Sequence, residues 1–163
     1  EDLEMEAVVG KLLTKTHKII ATAESCTGGY IAHLITSIPG SSKYFKGSIV
    51  SYSNEIKRDI LNVREDNLKK HGAVSEPVVS DMALNTMGLF EVDYTIATSG
   101  IAGPDGGTDE KPVGTVWIAV ASPTRLVTNE FHFGKLTGRQ QIIERAARAG
   151  LNMLRIEIEK DIH

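Results

Sequence analysis

The chain has 163 residues, enough for one domain that buries roughly 70% of its unfolded surface. With 41% hydrophobic and 24% charged residues, its composition excludes a disordered tail, a collagen-like repeat and a disulfide scaffold. A net charge of −3 disfavours direct duplex binding, and a lone cysteine, Cys26, rules out an intrachain disulfide and fits the reducing cytoplasm. No uninterrupted apolar run approaches about 18 residues, so no membrane partner is expected. A single domain over 1–163 is expected, and the first residue, Glu1 rather than Met, is compatible with its being the C-terminal part of a longer polypeptide.

Met5, Val8, Val9, Leu12 and Leu13 recur at helical spacing. Ile19 to Ala23 is short, apolar and partly β-branched, as in a buried strand. Ile31, Leu34, Ile35 and Ile38 resume the helical period until Pro39-Gly40 ends it. Gly47 to Ser53 reads as a second strand, and Asn54 as the N-cap of a short helix reaching Leu61. Ser75, followed by Pro77, opens a helix whose apolar face is Val79, Met82, Ala83, Thr86 and Met87. Tyr94 to Ser99 is a further buried strand. Val113–Ala121 and Leu126–Phe133 read as neighbouring strands joined across Ser122-Pro123-Thr124. A last helix from Arg139 puts Ile142, Ile143, Ala146, Gly150, Met153 and Leu154 on one face. Strands alternating with helices predict a mostly parallel sheet covered on both faces, with the late strand pair adding an antiparallel edge.

Chemistry concentrates in three places. Five of the fifteen glycines, Gly100, Gly103, Gly106, Gly107 and Gly114, fall in one loop directly after a strand. Ligands of open α/β sheets sit in such loops, although the spacing matches no standard phosphate motif and a ligand-free turn explains it equally well. Asp105 and Asp109 in that loop read as turn formers. The second place is Thr22-Ala-Glu-Ser-Cys-Thr-Gly-Gly29, where a strand gives way to a helix and backbone amides can meet an anion. Ser25, Cys26 and Thr27 are each candidate nucleophiles or donors there. Cys26 reads as structural, because none of the five histidines is an obvious partner to lower its pKa. The third is Gly40 to Lys57, where a serine could be activated by a lysine kept neutral by burial, with Tyr52 relaying a proton or orienting it. A solvated lysine and a packed tyrosine is the blander reading of the same residues. Arg139, at a helix start after Thr137-Gly138, suits a phosphate or carboxylate. No metal-ligand spacing is present, so no metal is expected.

Five segments in order, Thr22–Gly29, Val50–Lys57, Gly72–Glu76, Ser99–Thr108 and Lys111–Trp117, resemble the C-terminal domain of the competence/damage-inducible protein CinA. That domain also occurs as a standalone nicotinamide-nucleotide amidohydrolase, and the likeness runs from about residue 5 to about 155. The resemblance implies a three-layer α/β/α sandwich and hydrolysis of nicotinamide mononucleotide to nicotinate mononucleotide and ammonia, in pyridine-nucleotide salvage, with no cofactor. It implies Ser42 as nucleophile, Lys57 as base, and Tyr52 and Ser25 as polar groups around them. Thr27, Gly28, Ser99, Gly100 and Arg139 are expected to bind the small nucleotide substrate. Many members read Gly-Asp-Arg where this chain reads Thr137-Gly138-Arg139. For Lys57 to serve as base, its pKa must fall well below about 10.4. The alternative is a non-catalytic nucleotide-binding or regulatory module beside an N-terminal CinA domain. Apolar helix faces in this fold lead to the further expectation of a homodimer.

Overall fold

A computed structural model describes residues 3–134 and 136–163. These residues form a five-stranded sheet in the order β2-β1-β3-β4-β5. The strands are β1 (Ile20–Glu24), β2 (Phe45–Val50), β3 (Tyr94–Gly100), β4 (Thr115–Ala121) and β5 (Leu126–His132). β1 pairs parallel with both β2 and β3, whereas β4 runs antiparallel to β3 and β5 antiparallel to β4. The mixed sheet with its antiparallel edge is therefore as expected.

Helices α1 (Met5–Thr16), α2 (Tyr30–Thr36) and α6 (Arg139–Ile162) cover one face; α3 (Asn54–Asp59), α4 (Glu65–His71) and α5 (Glu76–Phe90) belong to the other. The two faces are chemically unlike, because alternate strand residues point to opposite sides. Ile20, Ile96, Val116, Ile118 and Val120 meet α1, α2 and α6, so that face is built from branched side chains. Ala23, Ala97, Ala119 and Ala121 meet α5, which packs close over this small-residue surface and also accepts the Thr95 hydroxyl at Ala83 O, 2.8 Å away.

Several boundaries differ from the sequence reading. β2 begins at Phe45 and ends at Val50, because Ser53 leaves the strand to cap α3, its Oγ accepting from the Ile56 amide at 3.1 Å. The N-cap is thus Ser53, one residue before the expected Asn54. α4 was not anticipated, since it buries no residue and so carries no apolar stripe. Its acidic first turn and basic last turn follow the helix dipole.

The connections place the site. From β1 the chain passes through α2 to β2 on one side, and from β3 it turns to β4 on the other. The loops after β1 and β3 therefore diverge, leaving a crevice beyond the carboxyl ends of these central strands.

Candidate active site

Lys57 lies at the floor of that crevice and is only 1% exposed. Its Nζ is 2.8 Å from Ser51 O, 3.0 Å from Tyr52 O and 2.9 Å from Ser25 Oγ. Carbonyl oxygens only accept, so two Nζ hydrogens are committed to them. As an ammonium, Lys57 donates its third hydrogen to Ser25. As a neutral amine it has no hydrogen left, and its lone pair faces the Ser25 hydroxyl. Burial pushes the Lys57 pKa down from 10.5 to about 8, which brings the neutral form within reach of physiological pH. The fall that the sequence reading required is present.

A buried carboxylate supports the turn that carries Ser25. Glu24, with no exposed surface, accepts from the Thr27 hydroxyl at 2.7 Å, the Ile31 amide at 2.9 Å, the Ala32 amide at 3.0 Å and the Thr22 hydroxyl at 3.0 Å. It thereby ties the end of β1 to the first turn of α2. Because Thr27 donates to Glu24, Thr98 is the donor in the 2.9 Å contact between the Thr27 and Thr98 hydroxyls. Thr98 also accepts the Ser25 amide at its carbonyl oxygen, 3.1 Å away. Ser25 is thus clamped between two central strands. Next to it, the Cys26 thiol is pushed up to about 12 by burial, which keeps it protonated and agrees with its reading as structural.

Above the floor is a cavity of ≈ 270 Å³, lined by Ser25, Lys57, Ser99, Gly100, Arg139 and Asp105 among others. Arg139 reaches across its mouth, donating to Gly103 O at 2.7 Å and to the Tyr52 hydroxyl at 3.0 Å. The glycine loop owes its composition largely to packing. A Cβ on Gly100 would stand 2.8 Å from Thr115 O, and one on Gly103 would stand 2.4 Å from a Val113 methyl, with φ already at +76°.

Four expected site residues are placed differently. Ser42 is exposed and belongs to the short 3₁₀ turn before β2, while Lys57 follows the strand. A six-residue strand separates them by about 20 Å. Ser42 is therefore not the serine at the lysine; Ser25 is. Tyr52 orients Lys57 through its backbone carbonyl, and its side chain, 60% exposed, meets Arg139 instead. Thr27 is buried and its hydroxyl is spent on Glu24 and Thr98, and Gly28 lies outside the cavity lining. Ser25, Lys57, Ser99, Gly100 and Arg139 do converge. Sequence reasoning missed Glu24, although it sits inside the quoted Thr22–Gly29 motif. It also missed Asn54, Ala73 and Val74, which complete the walls and carry no chemical signature.

Residues 2–158 match the family model described as the CinA C-terminal domain. A CinA-like protein of Cytophaga hutchinsonii is 49% identical over 156 residues, which is 96% of this chain and 37% of that protein. The chain thus spans little more than a third of the length of such CinA-like relatives. The nicotinamide-nucleotide amidohydrolase PncC of Escherichia coli K12 is 51% identical over 122 residues, 75% of this chain and 74% of its own. Among solved structures, the competence/damage-inducible protein CihA of Agrobacterium tumefaciens superposes with a TM-score of 0.90 at 35% identity, covering 97% of each chain. A CinA superfamily protein of Klebsiella pneumoniae gives 0.92 at 32% identity over 96% of this chain and 97% of its own. With the fold matched over nearly the whole chain and the family model over residues 2–158, the chain belongs to the CinA C-terminal domain family.

Proposed function

We propose that this chain hydrolyses the carboxamide of nicotinamide mononucleotide to nicotinate mononucleotide and ammonia, with Ser25 as nucleophile and Lys57 as its base. One observation carries the reading: the Lys57 amine has two carbonyl acceptors and one hydroxyl neighbour, so its neutral form accepts the Ser25 proton. The relative PncC, half identical over three quarters of the chain, supports the choice of substrate.

Ser25 Oγ adds to the carboxamide carbon while its proton passes to Lys57 Nζ. The negative charge gathers on the former carbonyl oxygen, and the backbone N–H of Cys26, next to Ser25 in the cavity lining, is assigned here as its donor. As the tetrahedral centre collapses, the C–N bond breaks and Lys57 returns the proton to nitrogen, releasing ammonia. A water then loses its proton to neutral Lys57 and adds to the acyl carbon, and Ser25 leaves with the proton that Lys57 returns. Arg139 at the mouth supplies a forked cation for the substrate phosphate. This reaction belongs to pyridine-nucleotide salvage. Incubating the protein with nicotinamide mononucleotide tests the proposal: equimolar ammonia and nicotinate mononucleotide support it, and intact substrate refutes it.

A further inference from the structure

Among the described residues lining the cavity, Lys57 and Arg139 are the basic side chains, of which Arg139 keeps its charge when Lys57 acts as base, and Asp105 is the one carboxylate. Asp105 stands two residues beyond Gly103, the residue whose carbonyl receives Arg139. The glycine loop therefore carries an anion and anchors a cation at the same mouth. Asp105 also borders a neighbouring polar cavity on this loop, which Asp109 lines as well, but Asp109 is not part of the lining above Lys57.

This inference rests on the pyridine-nucleotide reading above. The oxidised nicotinamide ring is quaternised at nitrogen and carries a full positive charge that stays through the reaction. Arg139 is always charged, and without a carboxylate beside it the cavity would repel such a ring. With the phosphate on Arg139 and the carboxamide at Ser25, the ring lies between them and needs an opposite charge. We infer that Asp105 supplies it, selecting cationic pyridinium carboxamides over uncharged ones of the same shape. An exposed carboxylate near a cation discriminates by about fivefold in affinity, because solvent screens the pair.

Reduced nicotinamide mononucleotide provides the matching probe, since it keeps the carboxamide, ribose and phosphate and loses the ring charge at the cost of one added hydrogen on the ring. Calorimetry on a Ser25→Ala protein, which holds nucleotide without turning it over, compares the two ligands. The expected result is about fivefold tighter binding of the oxidised form, a ratio that falls toward one when Asp105→Asn is added. Asp105→Glu should keep the preference, and Asp109→Asn should leave it intact. An unchanged ratio in Asp105→Asn overturns the inference. So does equal weakening of both ligands, which would make Asp105 a holder of ribose hydroxyls, or an equal effect of Asp109→Asn. If the Ser25→Ala protein binds neither nucleotide, the pyridine-nucleotide reading itself falls and this inference with it.

Discussion

Lys57 and Glu157 are both almost wholly buried, at 1% and 2% exposure, and sit toward opposite ends of the sheet. Glu157 is treated as a buried charge must be if it is to stabilise. Arg125 meets it at 2.8 Å and Lys160 at 3.2 Å, and Arg125 also holds Asp161 at 2.8 Å. Among the described residues, Lys57 receives no carboxylate, only two carbonyls and a hydroxyl. The same sheet pairs its charges at one end and leaves one unpaired at the other. Paired, an ionisable group keeps its charge; unpaired and dry, it is pushed toward neutrality, which a base requires. The stability forgone at Lys57 is what makes it reactive.

Substitutions at each end break this comparison in different observables. The largest effect is expected from Lys57→Met, which should lower turnover by at least about a thousandfold while circular dichroism shows an unchanged fold. The pH dependence of stability sharpens the same point. Below about pH 8 both folded and unfolded states hold the lysine proton, and the folded state bears the full cost of burying it. Between about 8 and 10.5 the unfolded state holds more protons, so stability rises with pH, by about 3 kcal/mol in all. That rise should be present in the wild type and missing from Lys57→Met in urea titrations across this range.

Activity follows the same proton. Because the neutral amine is the active form, kcat/KM should climb roughly tenfold per pH unit below about 8 and level off above it. A flat profile from pH 6 to 10 would remove Lys57 as base. A smaller effect is expected at the mouth. Gly103→Ala drives a Cβ into Val113 at a left-handed φ, shifting the carbonyl that holds Arg139. KM should rise by about tenfold with kcat changed far less. Smallest for catalysis is Arg125→Met at the paired end: melting should drop by several degrees with kcat unaltered, because Glu157 loses its main partner.

Much of the architecture is legible in the sequence, through helical periodicity and short apolar runs. The helix over Ile142–Leu154 carries the repeat, while the strand Tyr94–Ser99 and the late antiparallel pair are apolar runs, and each lies within two residues of its expected bounds. α4 escapes because its one apolar contact, half-buried Leu68 against the α5 face, leaves no stripe to read. The site was half legible for a related reason. Lys57 and Ser25 are both legible as site residues, but the family resemblance pairs Lys57 with Ser42 as nucleophile. Between Ser42 and Lys57 runs β2, and a strand carries the chain from one end of the sheet to the other. Ser25 is farther along the chain yet ends the neighbouring strand in the same direction, so parallel pairing of β1 with β2 brings it to the lysine. Tyr52 was assigned through its side chain when its carbonyl does the orienting, a distinction residue type cannot convey. Glu24 was passed over because a carboxylate satisfied by hydroxyls and helix amides looks, in sequence, like any other acid.

The serine at the lysine is the central claim, and a side-by-side assay of Ser25→Ala and Ser42→Ala with nicotinamide mononucleotide tests it most directly. Ammonia release should fall by at least about a thousandfold in Ser25→Ala and stay within about twofold of wild type in Ser42→Ala. An active Ser25→Ala beside an inactive Ser42→Ala would contradict the account.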